Sequence, residues 1–331
     1  MSITITVLVP FYKSSYFQKL LEALAQQSDS DFNIVVANDA SELIAREMCE
    51  GYKDSLNIYY FRFEQRLGHI DLARQWNRAL ELVPNCDWVW VVPDDDLPSS
   101  KCIEEIRAST YIADEIGSHI IHIPVVTIDK EDVALGERHP QPSYICSGDF
   151  YLRQLRGLEA GLSLANSVYR RRALEEAGGF MSLPRAWGSD HATTLAVAAG
   201  GPVVTVPSSW LGFRMSGVNI SSQTDDSDEK LQARIQFAYW LSGKLPEWYD
   251  EQKAGEIMKW FYLKSELYTV KIWPCSVKMI RGLFQIANIS GVRLSILQRA
   301  GIIVRVAFNA AKGFASRYGL VKDFENSNIF R

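Results

Sequence analysis

Asp87-Trp88-Val89-Trp90-Val91-Val92-Pro93-Asp94-Asp95-Asp96 joins an apolar run to three carboxylates, and the reading of that junction decides the fold. A short run of β-branched and aromatic residues without polar alternation predicts a strand buried on both faces. Such a strand belongs to a parallel sheet covered by helices, where ligands bind beyond the carboxyl ends of the strands. The aspartates stand at that end. Three adjacent carboxylates repel one another unless a cation lies among them or water screens them. With oxygen ligands and no His or Cys in the run, the expected ion is hard, Mn²⁺ or Mg²⁺, bound partly through a substrate's phosphates. Taken alone, a charge run reads more readily as a solvated loop. Its place after the strand favours the metal.

Outward from this junction the pattern repeats. Ile3 to Val9 is a β-branched run, expected to end at Pro10, which cannot donate to a central ladder. Phe17, Leu20, Leu21 and Leu24 recur at helical spacing, with Ser14 or Ser15 as the expected cap. Phe32 to Ala37 is a second strand that stops at Asn38-Asp39, and Asn57 to Phe63 is a third. Gly68 to Leu82 returns to helical spacing. Further strands are predicted over 118–128, 165–170 and 203–206, and short helices over 171–177 and 189–199, each closed by a Gly-Gly pair. Beyond Ser222 the strand signals stop, and helices are expected over 229–242, 248–272, 276–288 and 292–316. The fold class is therefore α/β, a Rossmann-like, mostly parallel sheet flanked by helices, with a C-terminal helical region. The expected domains are 1–222 and 223–331.

Composition sets the broad class. The chain is 47% hydrophobic and 22% charged without low-complexity segments, which excludes extended disorder. Cys49, Cys86, Cys102, Cys146 and Cys275 are odd in number and form no C-x-x-C pair, so neither a disulfide framework nor a zinc site is expected. The first residues lead into a strand with no basic region or cleavage site, so no secretory signal is expected. No apolar run reaches the ~18–20 residues that a spanning helix needs. A cytoplasmic location follows as the expectation.

Six spaced segments resemble family 2 glycosyltransferases of the GT-A fold: ITVLVPFYK, IVVANDAS, RLGHIDLARQWNRAL, VWVVPDDDLPSS, EEAGGF with WGSDHATTLAVAAGG, and FRMSGVNIS. The likeness covers about the first two hundred residues, in the family's order. It implies an inverting transferase of the bacterial surface-polysaccharide type, with 1–100 as the nucleotide-sugar-binding half and 101–222 as the acceptor half. By that resemblance Pro10 and Tyr12 line the nucleotide base and Asp39 accepts a hydrogen bond from it. Gly68 and Arg74 sit where the family holds donor groups. Asp94 and Asp95 meet the donor, Asp96 with Asp94 ligates Mn²⁺ or Mg²⁺, and Asp190 is the catalytic base. Trp187, His191 and Arg214 stand where acceptor or phosphate contacts are expected. The implied donor is a nucleotide sugar, a UDP-sugar by preference, and the acceptor a saccharide or lipid-linked saccharide. Three departures bear on these roles: Pro93 replaces a further Asp, Arg66 the usual Asn, and Ser216 the His of the family's last segment, which puts metal ligation there in doubt.

Charge is segregated along the chain. Lys271 to Lys322 holds nine Lys or Arg and no Asp or Glu, against a net charge of -4 for the whole. Interleaved with apolar residues at helical spacing, this stretch is expected to make peripheral contact with the inner face of a bacterial membrane, or else to pack on the catalytic domain or a second subunit. Self-association stays open. Nucleic acid is not an expected partner, since the remainder is acidic and carries no binding module. A dinucleotide oxidoreductase is disfavoured because no G-x-G-x-x-G follows the first strand. A nucleotidyltransferase would carry a Gly-rich, basic phosphate loop where Pro10-Phe11-Tyr12-Lys13 stands. A non-catalytic sugar-nucleotide-binding scaffold is the remaining alternative.

Overall fold

Strand β1 (Ile5–Phe11) is buried on both faces, and the rest of the sheet is built around it. In the computed structural model, which describes residues 3–13, 15–41, 43–136, 141–158, 163–215, 226–269 and 276–317, β1 pairs in parallel with β2 (Asn33–Asn38) and β4 (Trp88–Val91). Strand β3 (Asn57–Arg62) adds in parallel to β2. Beyond β4 come β9 (Ser167–Arg170), β6 (Ile120–His122), β10 (Pro202–Thr205) and β8 (Tyr144–Cys146), of which β9 and β8 run antiparallel to their neighbours. A separate three-stranded sheet orders β5 (Leu97–Pro98), β11 (Leu211–Arg214) and β7 (Val125–Ile128).

The strand alternation divides the core in two. Ile5, Val7, Val9 and Phe11 face one side with Trp88 and Trp90, packed by Phe17, Leu20, Leu21 and Leu24 of helix α1 (Phe17–Ala25) and by Ile103 and Ile106 of α4 (Cys102–Ile116). Leu8, Val35, Val89 and Val91 face the other, with Ala79 and Leu80 of α3 (Leu72–Leu80) and Leu174 of α6 (Arg171–Glu176). Covering both faces explains why β1, β2 and β4 read as continuous apolar runs.

Several local expectations change. Pro10 does not end β1, because Leu8 Oxygen already accepts the last β4 bond from Val92 N–H, and Pro10 faces the side where β4 has left the ladder. Its missing donor therefore costs no bond. Helix α1 begins after Tyr16 with no side-chain cap, so Ser15 does not cap it, and Ser14 lies outside the described residues. The single strand predicted over 118–128 is two, β6 and β7, in different sheets, separated at Ile123-Pro124. Helices α2 (Ile44–Glu50), α4 and α5 (Ser147–Leu155) are further elements, α4 closing at Gly117 in the left-handed region (φ 69°).

The chain divides into two compact units: residues 1–150, 160–182 and 189–219, and residues 151–159, 183–188 and 220–331. The first holds both sheets, with α7 (Ser189–Ala198) among its helices. In the second, α8 (Ser227–Trp248), α9 (Glu251–Leu267), α10 (Val277–Ile289) and α11 (Ile296–Arg317) follow one another. There α8 and α10 approach closely at Gly282, where a Cβ would stand 2.7 Å from Leu231. Among the described residues, no helix is long and apolar enough to cross a membrane.

Candidate active site

The carboxyl ends of β1, β2 and β4 lie side by side because the three strands are consecutive in the sheet. Each ends in polar residues: Tyr12-Lys13 after β1, Asp39 after β2, Asp94 to Asp96 after β4. Asp94 ties two of these ends together, its Oδ2 accepting the backbone N–H groups of Tyr12 and Lys13, both at 2.6 Å. Burial pushes the Asp94 carboxyl up to about 7, against those two N–H bonds and the Lys13 charge, while the neighbouring Asp95 charge adds to the rise.

Asp96 is buried, and its Oδ1 accepts the Arg214 N–H at 3.1 Å. Burial, and then the charge of Asp95, raise its carboxyl well above the usual range. Asp95 is raised too, again by burial, against the charges of Lys13 and Arg214. Arg214, fully buried, binds protein groups: its Nε donates to the Asp95 carbonyl (2.8 Å), Nη1 to the Asp129 carbonyl (2.8 Å), and Nη2 pairs with Asp132 (2.5 Å). Its guanidinium lies 4.1 Å from the centre of the Tyr16 ring.

Asp39 is engaged within the chain as well. It accepts the N–H groups of Leu67 and Gly68, each at 2.8 Å, and pairs with Arg78 at 2.5 Å. Gly68 is required by this contact, since a Cβ there would lie 2.8 Å from Asp39 Oδ2. Arg66 stacks over the Tyr12 ring at 4.0 Å, and Arg78 over Phe63 at 3.8 Å. Pro10 sits in β1, paired with Ala37. The Arg74 side chain is exposed, and its N–H donates to Asp71, the N-cap of α3.

Asp190 lies in the first turn of α7, where its Oδ1 accepts the His191 N–H at 2.8 Å. Burial raises its carboxyl, partly offset by His191. The helix is anchored by Thr193, which donates to the Ser189 carbonyl and accepts from Met181 N–H, and by Thr194, 3.1 Å from the Tyr169 hydroxyl of β9. Trp187 belongs to the second unit, where it meets Tyr268 edge-on at 5.7 Å and Lys230 lies 4.7 Å from its ring. Ser216 lies outside the described residues.

The strand ends therefore gather Tyr12, Asp39, Gly68 and Asp94 to Asp96, with Arg214 and Asp132 behind them. Lys13, Arg78, Asp129 and Asp132 were not singled out from the sequence. Arg78 carries a visible signal, since it lies one helical turn beyond Arg74 on α3; Asp132 carries none, because only the second sheet brings its loop to Arg214. Among the described residues no group of three or more His, Cys, Asp or Glu side chains is arranged to hold a metal alone. Two oxygen-donating carboxylates whose charge is disfavoured by burial nevertheless fit a hard divalent ion that takes its other ligands from phosphate and water.

The model of the family described as "Glycosyl transferase family 2" matches residues 6–178. Over 98 residues the chain is 33% identical to a teichoic acid poly(glycerol phosphate) polymerase of Staphylococcus epidermidis, a match that takes in 29% of this chain and 13% of that protein's length. The fold is similar to that of S. aureus TarS 1-349 in complex with UDP-GlcNAc, with a TM-score of 0.68 at 18% identity, covering 98% of this chain and 95% of that one. It is also similar to a mannosyltransferase of Pyrobaculum calidifontis in complex with GDP-Man and Mn²⁺, with a TM-score of 0.53 at 17% identity over 96% and 82% of the two chains.

Proposed function

The chain belongs to glycosyl transferase family 2 and is a glycosyltransferase, and from that premise we propose that it moves a sugar from a nucleoside-diphosphate sugar to a hydroxyl of a saccharide or lipid-linked saccharide, with inversion at the anomeric carbon. The observation that carries this reading is the run Asp94 to Asp96 at the β4 end, buried enough to raise all three carboxyls and tied through Asp94 to the Tyr12-Lys13 turn. UDP-sugar is the favoured donor, in keeping with UDP-GlcNAc in the TarS complex.

The residues take distinct parts. Tyr12 offers an aromatic face to the base, and Asp39 holds the 67–68 loop against the β2 end, keeping Gly68 close to the donor. Asp94 and Asp96 would hold the Mn²⁺ or Mg²⁺, with Asp95 beside them. When bound, such an ion offsets the charge that develops on a leaving diphosphate. Arg214 fixes the carbonyl of Asp95 and the carboxylate of Asp96, which orients the acidic run against β11. Asp190 takes the proton of the acceptor hydroxyl; an alcohol is a poor nucleophile until a positioned base removes its proton. A single displacement assisted by one base inverts the configuration.

Thermal unfolding with UDP-, GDP- and dTDP-sugars, each with and without Mn²⁺, tests the donor reading. A ligand that binds the folded state raises the melting temperature by mass action. The expected result is a rise with UDP-sugars that depends on Mn²⁺. No rise with any nucleotide sugar would overturn the reading.

A further inference from the structure

Helix α11 carries two apolar faces. Ile302 and Val306, one turn apart, are each 1% exposed and form the inner face within the second unit. Ile296, Leu297, Ile303, Val304 and Phe308 are all on the surface, Ile296 and Leu297 being 85% and 84% exposed. At about 100° per residue these five fall within an arc of roughly 140°, turned away from Ile302 and Val306. A helix of a globular unit ordinarily buries one apolar stripe and solvates the rest. A second stripe in water marks a surface that meets something apolar.

The rim of this arc identifies what that is. Arg299 borders one edge, near the Phe284 ring, and Arg305 the other, paired with Glu266 at 2.6 Å. No Asp or Glu occurs from Lys271 to Lys322. An apolar arc between cationic edges is complementary to a bilayer that offers acyl chains beneath anionic headgroups. A second copy docking by the same face would set the two pairs of arginines against each other, and Glu266, the carboxylate at this rim, is already engaged by Arg305 of its own chain.

We propose that the outer face of α11 docks in the plane of an anionic membrane surface, Leu297, Val304 and Phe308 entering the acyl boundary and Arg299 and Arg305 meeting the headgroups. This goes beyond the transferase reading and does not depend on it.

Flotation of the full chain with vesicles of equal parts phosphatidylglycerol and phosphatidylcholine, and with phosphatidylcholine alone, tests the assignment. The chain is expected to float with the anionic vesicles and to partition at least about tenfold less onto the neutral ones. The triple variant Leu297→Glu, Val304→Glu, Phe308→Glu, altered only at exposed positions, is expected to lose flotation with unchanged circular dichroism and thermal unfolding. Arg299→Gln with Arg305→Gln should lower partitioning by about thirtyfold, at about 1 kcal/mol for each arginine. A wild-type chain that stays unbound with anionic vesicles, or a triple variant that floats like it, would overturn the proposal. So would self-association in sedimentation that the triple variant abolishes without any flotation, which gives the face to a second copy.

Discussion

Arg214 grips Asp96 and its neighbour from both ends: its backbone N–H donates to the Asp96 carboxylate at 3.1 Å, and its guanidinium Nε donates to the carbonyl of Asp95 at 2.8 Å. The same side chain pairs with Asp132 at 2.5 Å and is fully buried. Strand β11 thereby sets the conformation of an acidic run that follows β4.

Removing that guanidinium should cost more than a surface arginine would. Arg214→Met leaves the Asp95 and Asp129 carbonyls without their donor and the Asp132 carboxylate with Lys19 alone of its two partners, for a loss of ~3 kcal/mol. Chemical denaturation measures it. A loss within the range of ordinary surface substitutions would show that Arg214 does not support the acidic run.

Asp132 makes the same link sensitive to acid. Burial alone would raise its carboxyl, but hydrogen bonds from Lys19 and Arg214 outweigh that and hold it below the usual range. Its contribution is therefore complete above the unfolded value of ~3.9 and is lost as pH falls through the lower folded value. The difference in unfolding free energy between wild type and Asp132→Asn should be largest near neutrality and shrink in strong acid. A difference independent of pH would contradict the ion pair.

Asp190→Asn should lower transfer by ~10²–10⁴-fold, the range for loss of a general base. Donor-induced stabilisation against heat should stay near the wild-type value. Equal loss of both would move Asp190 from the reaction to donor binding.

Because burial raises the Asp190 carboxyl, the base should be lost at higher pH than for an ordinary carboxylate. Its reactive form is the deprotonated one, so kcat/KM should fall as pH drops through that raised value, with the acid limb above ~4. A profile that stays flat down to that pH would exclude a raised base.

Gly68→Ala tests the Asp39 contact. The added methyl group would stand 2.8 Å from Asp39 Oδ2, too close unless the carboxylate or the loop shifts. Crowding of this kind costs ~1–3 kcal/mol. Titration of a UDP-sugar should show binding weaker by about fivefold to about 150-fold if that energy falls on the donor-bound state. Unchanged affinity would separate the 67–68 loop from the donor site.

Much of the fold is legible in the amino-acid sequence. The runs Val7-Leu8-Val9 and Val89-Trp90-Val91 are apolar at consecutive positions, a pattern that only a strand covered on both faces needs, so the parallel sheet and the ends where Asp39 and Asp94 stand could be read from it. The end of β1 was not legible. Pro10 reads as a stop in any central strand, and is harmless here only because β4 leaves the ladder first.

The sequence by itself determined the succession of strands β1 to β4 along the first hundred residues, the acidic run, and the family to which the chain belongs, because strand periodicity and motif spacing are local properties of the chain. Tertiary structure alone decided that Asp94 is spent partly on the Tyr12 and Lys13 amides, that Asp39 holds Gly68 and Arg78, and that Arg214 is buried against Asp132. Those pairings join residues that lie far apart in the chain. Which donor meets which carboxylate depends on how strands are ordered across a sheet, and no local pattern encodes that order.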